Sequence, residues 1–140
     1  MSEAEGEQED PKNFLTQETI NENLSQIDTT SDGNTCAFTT LFLEEKEIEV
    51  LGDAIKNYLH LRNINLNKNQ LTSLNELQSL PNLLTLTCFE NQIEDISFLS
   101  QSSHHFLQVV NLSQNKIKSL PLLTSPLLRH LILNENEIDS

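Results

Sequence analysis

The 140-residue chain carries 21 Asp and Glu against 8 Lys and Arg, a formal charge of −13 at pH 7, with three Gly and no Trp. A chain of this length suits one domain with its own core. The lack of a basic stripe or polybasic patch argues against nucleic acid and anionic membrane as partners.

Acidity is concentrated at the start, where residues 1–35 hold nine acids against Lys12 alone, while residues 36–140 hold twelve acids against seven bases. Met1-Ser-Glu-Ala-Glu-Gly-Glu-Gln-Glu-Asp10 has neither the positive n-region nor the apolar h-region of a secretory signal. No apolar run reaches membrane-spanning length, so a cytoplasmic location is expected. Residues 1–13 lack any apolar period and are expected to form a disordered acidic tail. Residues 14–37 should form an N-terminal capping helix and turn. Ile20, Leu24 and Ile27 stand at i, i+4 and i+7, which predicts a helix running to about Ile27. Thr16 is its natural N-cap, and Leu15 and Ile20 have the spacing of a hydrophobic staple. Thr29-Thr-Ser-Asp-Gly-Asn-Thr35 supplies turn residues after it.

Residues 38–140 repeat a pattern, Leu-x-x-Leu-x-Leu-x-x-Asn-x-Leu/Ile. The copies are Leu61, Ile64, Leu66, Asn69, Leu71; Leu83, Leu86, Cys88, Asn91, Ile93; Leu107, Val110, Leu112, Asn115, Ile117; and Leu128, Leu131, Leu133, Asn136, Ile138. A degenerate first copy reads Phe38, Leu41, Leu43, Ile48, with Lys46 where Asn is expected. Starts at 38, 61, 83, 107 and 128 are 21 to 24 residues apart, the period of leucine-rich repeats. Each copy should place its fourth and sixth motif residues on the inner face of a short strand. The Asn should sit in the following turn, where its amide bonds backbone groups that no ladder satisfies. Asn69, Asn91, Asn115 and Asn136 are therefore expected to form a buried polar ladder. Lys46 cannot join it, so the first turn should be looser.

Between strands, Leu71, Leu74, Leu77 and Leu80 recur every three residues, which fits a tight 3₁₀ turn rather than a long helix. Pro81, Pro121 and Pro126 fall in these connections, where a missing N–H harms no ladder. In the first copy, Leu51, Ile55, Tyr58 and Leu59 are expected to point inward. The predicted architecture is an α/β repeat: a right-handed leucine-rich-repeat solenoid, or horseshoe, of five repeats. Short parallel strands line its concave face, 3₁₀ or short helical turns its convex side, and a helix caps its N-terminal end. A C-terminal cap is absent, so a truncated sequence or a partner covering the open last repeat is expected.

The repeats resemble the SDS22-like subfamily of leucine-rich-repeat proteins. Leu15-Thr-Gln-Glu-Thr-Ile20, Tyr58-Leu-His-Leu-Arg-Asn-Ile-Asn-Leu66 and Asn69-Gln-Leu-Thr-Ser-Leu74 further resemble the leucine-rich-repeat protein of the ciliary radial spoke. That resemblance implies a structural, non-catalytic component of the third spoke of motile axonemes, with other spoke subunits as partners. The SDS22-type alternative is a cytosolic adaptor holding a phosphatase or another enzyme.

The concave face should be the binding face. Its outward rows are Thr40, Asn63, Thr85, Val109, His130; then Phe42, Asn65, Thr87, Asn111, Ile132; then Glu44, Asn67, Phe89, Ser113, Asn134. Phe42, Phe89, Val109 and Ile132 stand out as apolar anchors in a polar surround, Asn65 and Asn67 as polar contacts, and Glu44 and Glu90 as rim charges. No cofactor, metal or catalytic residue is expected. His104-His105 has no Cys or carboxylate at ligand spacing, Cys88 stands at an inward Leu position, and no nucleophile-base set or phosphate-cradling loop is legible.

Overall fold

The computed structural model describes residues 13–30, 32–100 and 104–138. One sheet runs in chain order through six strands: β1 (Leu24–Thr29), β2 (Cys36–Phe42), β3 (Asn63–Asn65), β4 (Thr85–Thr87), β5 (Val109–Asn111) and β6 (His130–Ile132). From β2 onward all neighbours are parallel. A parallel pair needs a crossover connection, and each leucine-rich layer supplies one on the convex side. Three of these connections carry 3₁₀ turns, at Ala54–Asn57, Asn75–Ser79 and Ser97–Ser100. Their inward leucines recur at three residues because that is the period of the 3₁₀ turn.

The core is a column of inward side chains between the sheet and these turns. Ile64, Leu86 and Val110 share one level of it, and Leu66, Cys88 and Leu112 the next; all are buried. Leu71, Leu74, Leu77 and Leu80 close the column from the convex side and are fully buried. The architecture is the expected leucine-rich-repeat solenoid.

The N-terminal end departs from expectation. Helix α1 spans Gln17–Glu22, with the Thr16 hydroxyl accepting from the Thr19 N–H as N-cap, and it ends there rather than at Ile27. Asn23 terminates it: its N–H donates to the Ile20 carbonyl and its side-chain amide to the Thr19 carbonyl. The next residues form β1, which pairs antiparallel with β2. The N-terminal edge of β2 would otherwise expose unpaired backbone groups, and satisfying it outweighs a short apolar period that a helix would share. Leu15 and Ile20 are both buried in the core beneath this cap.

Two residues at inward positions of the first copy are exposed. Phe38 starts the first copy but is 45% exposed, because it pairs across the hairpin with Ile27 instead of opening an inward turn. Leu59 is also exposed, whereas Leu51 and Ile55 are buried. Tyr58 is half-buried and donates its hydroxyl to the Asn21 side chain, tying the first convex turn to α1.

Residues 1–12 of the expected acidic tail lie outside the described residues. Asn13, counted with that tail, instead bonds the first turn. Its side-chain amide donates to the Glu47 carbonyl at 2.6 Å and the Lys46 carbonyl at 3.3 Å. Its own carbonyl accepts from the Glu49 and Val50 N–H groups. Phe14 then bridges in parallel to Val50. An asparagine from before the repeats thus serves the turn where Lys46 breaks the pattern.

Candidate functional site

The asparagine ladder fixes the geometry of the concave face. Asn91 shows the arrangement: its side-chain oxygen accepts from the Leu71 N–H of the preceding layer, and its amide donates to the Leu66 carbonyl of that layer and the Cys88 carbonyl of its own. Asn115 repeats this with Ile93, Cys88 and Leu112, and Asn136 with Ile117, Leu112 and Leu133. Asn69 donates to Leu43 and Leu66 and accepts from both the Lys46 and Ile48 N–H groups. Asn69, Asn91 and Asn115 are buried, and Asn136, on the last described layer, is half-buried.

The residue one position before each rung adopts a left-handed conformation: Glu45, Lys68, Glu90, Gln114 and Glu135 have φ between 58° and 62°. This is the tight bend that turns the chain off the strand. None of the five is glycine, so the sequence gives no local signal for it, and each side chain costs about 1–2 kcal/mol there. Over-determination by the neighbouring rung bonds holds the bend. The charged rim of the concave face is built from these positions, which project Glu45, Glu90 and Glu135 to solvent.

The outward rows stack as strand neighbours. Thr40, Asn63, Thr85, Val109 and His130 are paired in register, as are Phe42, Asn65, Thr87, Asn111 and Ile132. Phe42 is 53% exposed, while Val109, Ile132 and Phe89 are half-buried. The Lys68 ammonium lies 6.0 Å from the centre of the Phe89 ring, a cation–π contact that screens this aromatic from water.

Several polar members of the rows are committed to the protein itself. Asn67, expected as a partner contact, is buried, and its side-chain oxygen accepts from the Phe89 N–H at 2.8 Å. A short amide at a strand end reaches the next layer's backbone more readily than it reaches solvent. Asn65 accepts from the Asn67 N–H and donates to Glu44 at 3.4 Å, and Asn111 accepts from the Ser113 N–H and hydroxyl. The groups left facing outward include Phe42, the threonines, His130, Asn134, part of Val109 and Ile132, and the rim glutamates.

The hairpin adds a feature that the repeat pattern does not reveal. Directly paired strand residues share a face, so Ile27 and Phe38 join Thr40 and Phe42 on the concave side. Ile27 is 65% exposed. The concave sheet therefore has an aliphatic-aromatic patch at its N-terminal end: Ile27, Phe38 and Phe42. Beside it, Arg62 donates to Asp28 at 3.0 Å and to the Thr29 carbonyl at 2.7 Å, fastening β1 to the second repeat. Ile27 escaped notice because it also fits a helical period, and Phe38 because it occupies an inward motif position.

Among the described residues no group of three His, Cys, Asp or Glu is placed to hold a metal. Cys88 is fully buried, and burial pushes its thiol far above the ordinary range, leaving an inert core group. Cys36 is an exposed thiol on β2. His104, expected on a convex loop, is buried with its ring edge-on to Phe98 at a centroid distance of 5.7 Å. Burial holds its pKa below the ordinary value of 6.5.

The folded state therefore favours neutral His104, and the unfolded chain binds the additional proton. Its contribution to stability is complete above about pH 6.5 and declines as pH falls below it, by up to about 1.4 kcal/mol per pH unit until the folded pKa is reached. Urea titrations from pH 7.5 to 5 should show a steeper loss for the wild type than for His104→Phe. Parallel slopes would mean that the imidazole is not desolvated.

Comparison with known proteins agrees with this geometry. A family model described as leucine-rich repeats, two copies, matches residues 59–101. "Leucine-rich repeat-containing protein 23" of Bos taurus is 28% identical over 124 residues, 89% of this chain and 35% of that protein, and its Homo sapiens counterpart aligns to the same extent. The chain thus spans about a third of the length of these curated relatives. Among solved structures, the fold resembles internalin C2 from Listeria monocytogenes, with TM-score 0.67 and 28% identity over 73% of this chain and 44% of that one. It also resembles a chain of the Drosophila melanogaster SNF/U2A′ complex, with TM-score 0.71 and 26% identity over 89% of this chain and 71% of that one. Repeat period, asparagine ladder, parallel sheet and these matches together show a leucine-rich-repeat fold, with the family model itself covering residues 59–101.

Proposed function

We propose that the chain is a non-catalytic protein-binding scaffold that engages partners along its concave face, and that it serves as a structural component of the radial spoke of motile cilia. The observation that carries the binding role is the continuous concave sheet, where Phe42, Val109 and Ile132 lie exposed or half-exposed among neutral polar groups. An aromatic or aliphatic anchor in a polar surround is the usual form of an interface hot spot.

The ciliary setting is supported by the segments 15–20, 58–66 and 69–74, which resemble the radial-spoke leucine-rich-repeat protein. This reading predicts that the chain stays with purified axonemes through detergent and moderate salt. Complete release into the soluble fraction would overturn it. The likeness to a chain of the SNF/U2A′ complex favours a second reading, an SDS22-type cytosolic adaptor that holds a phosphatase or another enzyme. Recovery of a phosphatase catalytic subunit in place of spoke proteins would select that reading.

A further inference from the structure

Each convex connection carries one filling side chain three positions before the next repeat starts. Ahead of Leu61, Leu83 and Leu107 these are Tyr58, Leu80 and His104; Leu80 and His104 are buried and Tyr58 is half-buried. Ahead of Phe38 the equivalent is Thr35, which belongs to the hairpin turn, where its carbonyl accepts from the Thr30 N–H, and is exposed. The β1–β2 hairpin stands in for a convex connection in the first repeat, and it brings no large side chain to that position.

A cavity of about 410 Å³ lies there, among α1, the hairpin and the first convex turn. Leu24, Ala37, Phe38, Tyr58 and Leu59 give it apolar walls, and all of its lining residues fall between positions 21 and 60, inside the described chain. Its volume is in the range of about 300–1,000 Å³ typical of ligand sites. No Asp, Glu, Lys or Arg lines it. The side-chain oxygen of Asn21, on its rim, is already taken by the Tyr58 hydroxyl. His60, by contrast, lines the cavity with its Nδ1 buried and without a hydrogen-bond partner among the described residues.

These features specify the occupant. An uncharged wall penalises a charged group, which would lose its hydration without gaining a counter-ion. With its proton on Nε2, the His60 imidazole offers Nδ1 as an acceptor, so the fitting group carries a donor. Tryptophan and tyrosine side chains combine a large apolar body with one such donor, and both are enriched among interface anchors. Phe38 belongs both to this wall and to the exposed patch with Ile27 and Phe42, so the cavity continues the concave surface.

We propose that the cavity is an anchor pocket that receives a neutral aromatic side chain with a hydrogen-bond donor, Trp or Tyr, from a partner protein, the donor bonding His60 Nδ1. The protein source of the ring rests on the scaffold reading above; the pocket chemistry does not.

The chain has no Trp, and Tyr58 is its one tyrosine, so the Tyr58 ring resonances report from the cavity wall itself. In NMR titrations of the full chain, N-acetyl-tryptophanamide should shift them saturably and N-acetyl-argininamide should not. The 1-methylindole analogue, which lacks the donor, should bind about tenfold more weakly, and this gap should vanish in His60→Leu. Leu59→Glu should abolish the saturable shift with unchanged circular dichroism, because Leu59 is 46% exposed. If that variant unfolds, Ala37→Leu, which fills the cavity, carries the same test. No saturable shift, equal binding of the arginine probe, or a dimer of the chain that Leu59→Glu dissolves would each overturn the proposal; equal affinity of the methylated analogue would overturn the role of His60. Crosslinking from Thr87 in the native assembly separates the two readings. Crosslinks undiminished in Leu59→Glu would overturn the anchor and leave concave binding standing. Their absence in the wild type, despite probe binding, would remove the scaffold reading and with it the protein source of the ring.

Discussion

Asn91→Ala is expected to lower the free energy of unfolding by about 2–3 kcal/mol, the cost of stranding a buried backbone donor together with the loss of the amide's own bonds. The stranded donor is the Leu71 N–H, which is buried and bonds the Asn91 oxygen at 3.1 Å. The carbonyls fare better, since Leu66 also accepts from Asn69 and Cys88 also accepts from Asn115. Stability in a solenoid is carried by nearest-neighbour interfaces, so a central rung weakens the coupling of two layers at once. Asn134→Ala provides the control: its side chain is exposed, and its loss should change stability by less than about 0.5 kcal/mol. Urea denaturation of the two variants tests the ladder; equal, small effects would show that the rung bonds contribute little.

A larger loss, about 3–5 kcal/mol, is expected for Phe98→Ala. Phe98 is the largest of the fully buried side chains and packs edge-on to His104. Truncation opens a cavity between the convex turn Ser97–Ser100 and the imidazole. Water entering beside His104 would restore its pKa toward the ordinary value, so this variant should also lose the extra acid sensitivity attributed to that residue. Thermal unfolding at pH 7.5 and pH 5.5 reads both effects. A drop under about 1 kcal/mol would show that the convex layer collapses around the gap.

The repeats were legible because their signal is redundant. A period near 22 residues, a rung asparagine in four copies and strict alternation around it fix the strand register, and with it the two outward rows containing Thr85 and Thr87. What escaped was information held outside the period. Ile20, Leu24 and Ile27 satisfy a helical spacing, and only the unpaired edge of β2 decides that Leu24–Thr29 is a strand. The left-handed bends at Glu45, Lys68, Glu90, Gln114 and Glu135 carry no glycine to announce them. Asn67 shares an outward row with Phe89 yet turns its oxygen to that residue's backbone, a choice made by the neighbouring layer rather than by its own sequence. The same dependence on neighbours lets Asn13, outside the repeats, complete the turn that Lys46 leaves deficient.

On the proposed binding face, the apolar residues assigned from the rows are accompanied by Ile27 and Phe38 from the hairpin. Partner contact is therefore expected to be strongest toward the N-terminal half of the sheet, where Ile27, Phe38 and Phe42 are all exposed and no side-chain amide competes for them.

The central claim is that partners bind on the concave face. Site-specific photocrosslinking in the native assembly tests it most directly, with a photoreactive residue at Thr87 in the middle of the concave sheet and, separately, at Gln78 on the exposed convex turn. The account predicts a defined crosslinked partner from position 87 and none from position 78. Crosslinks from position 78 alone would contradict it.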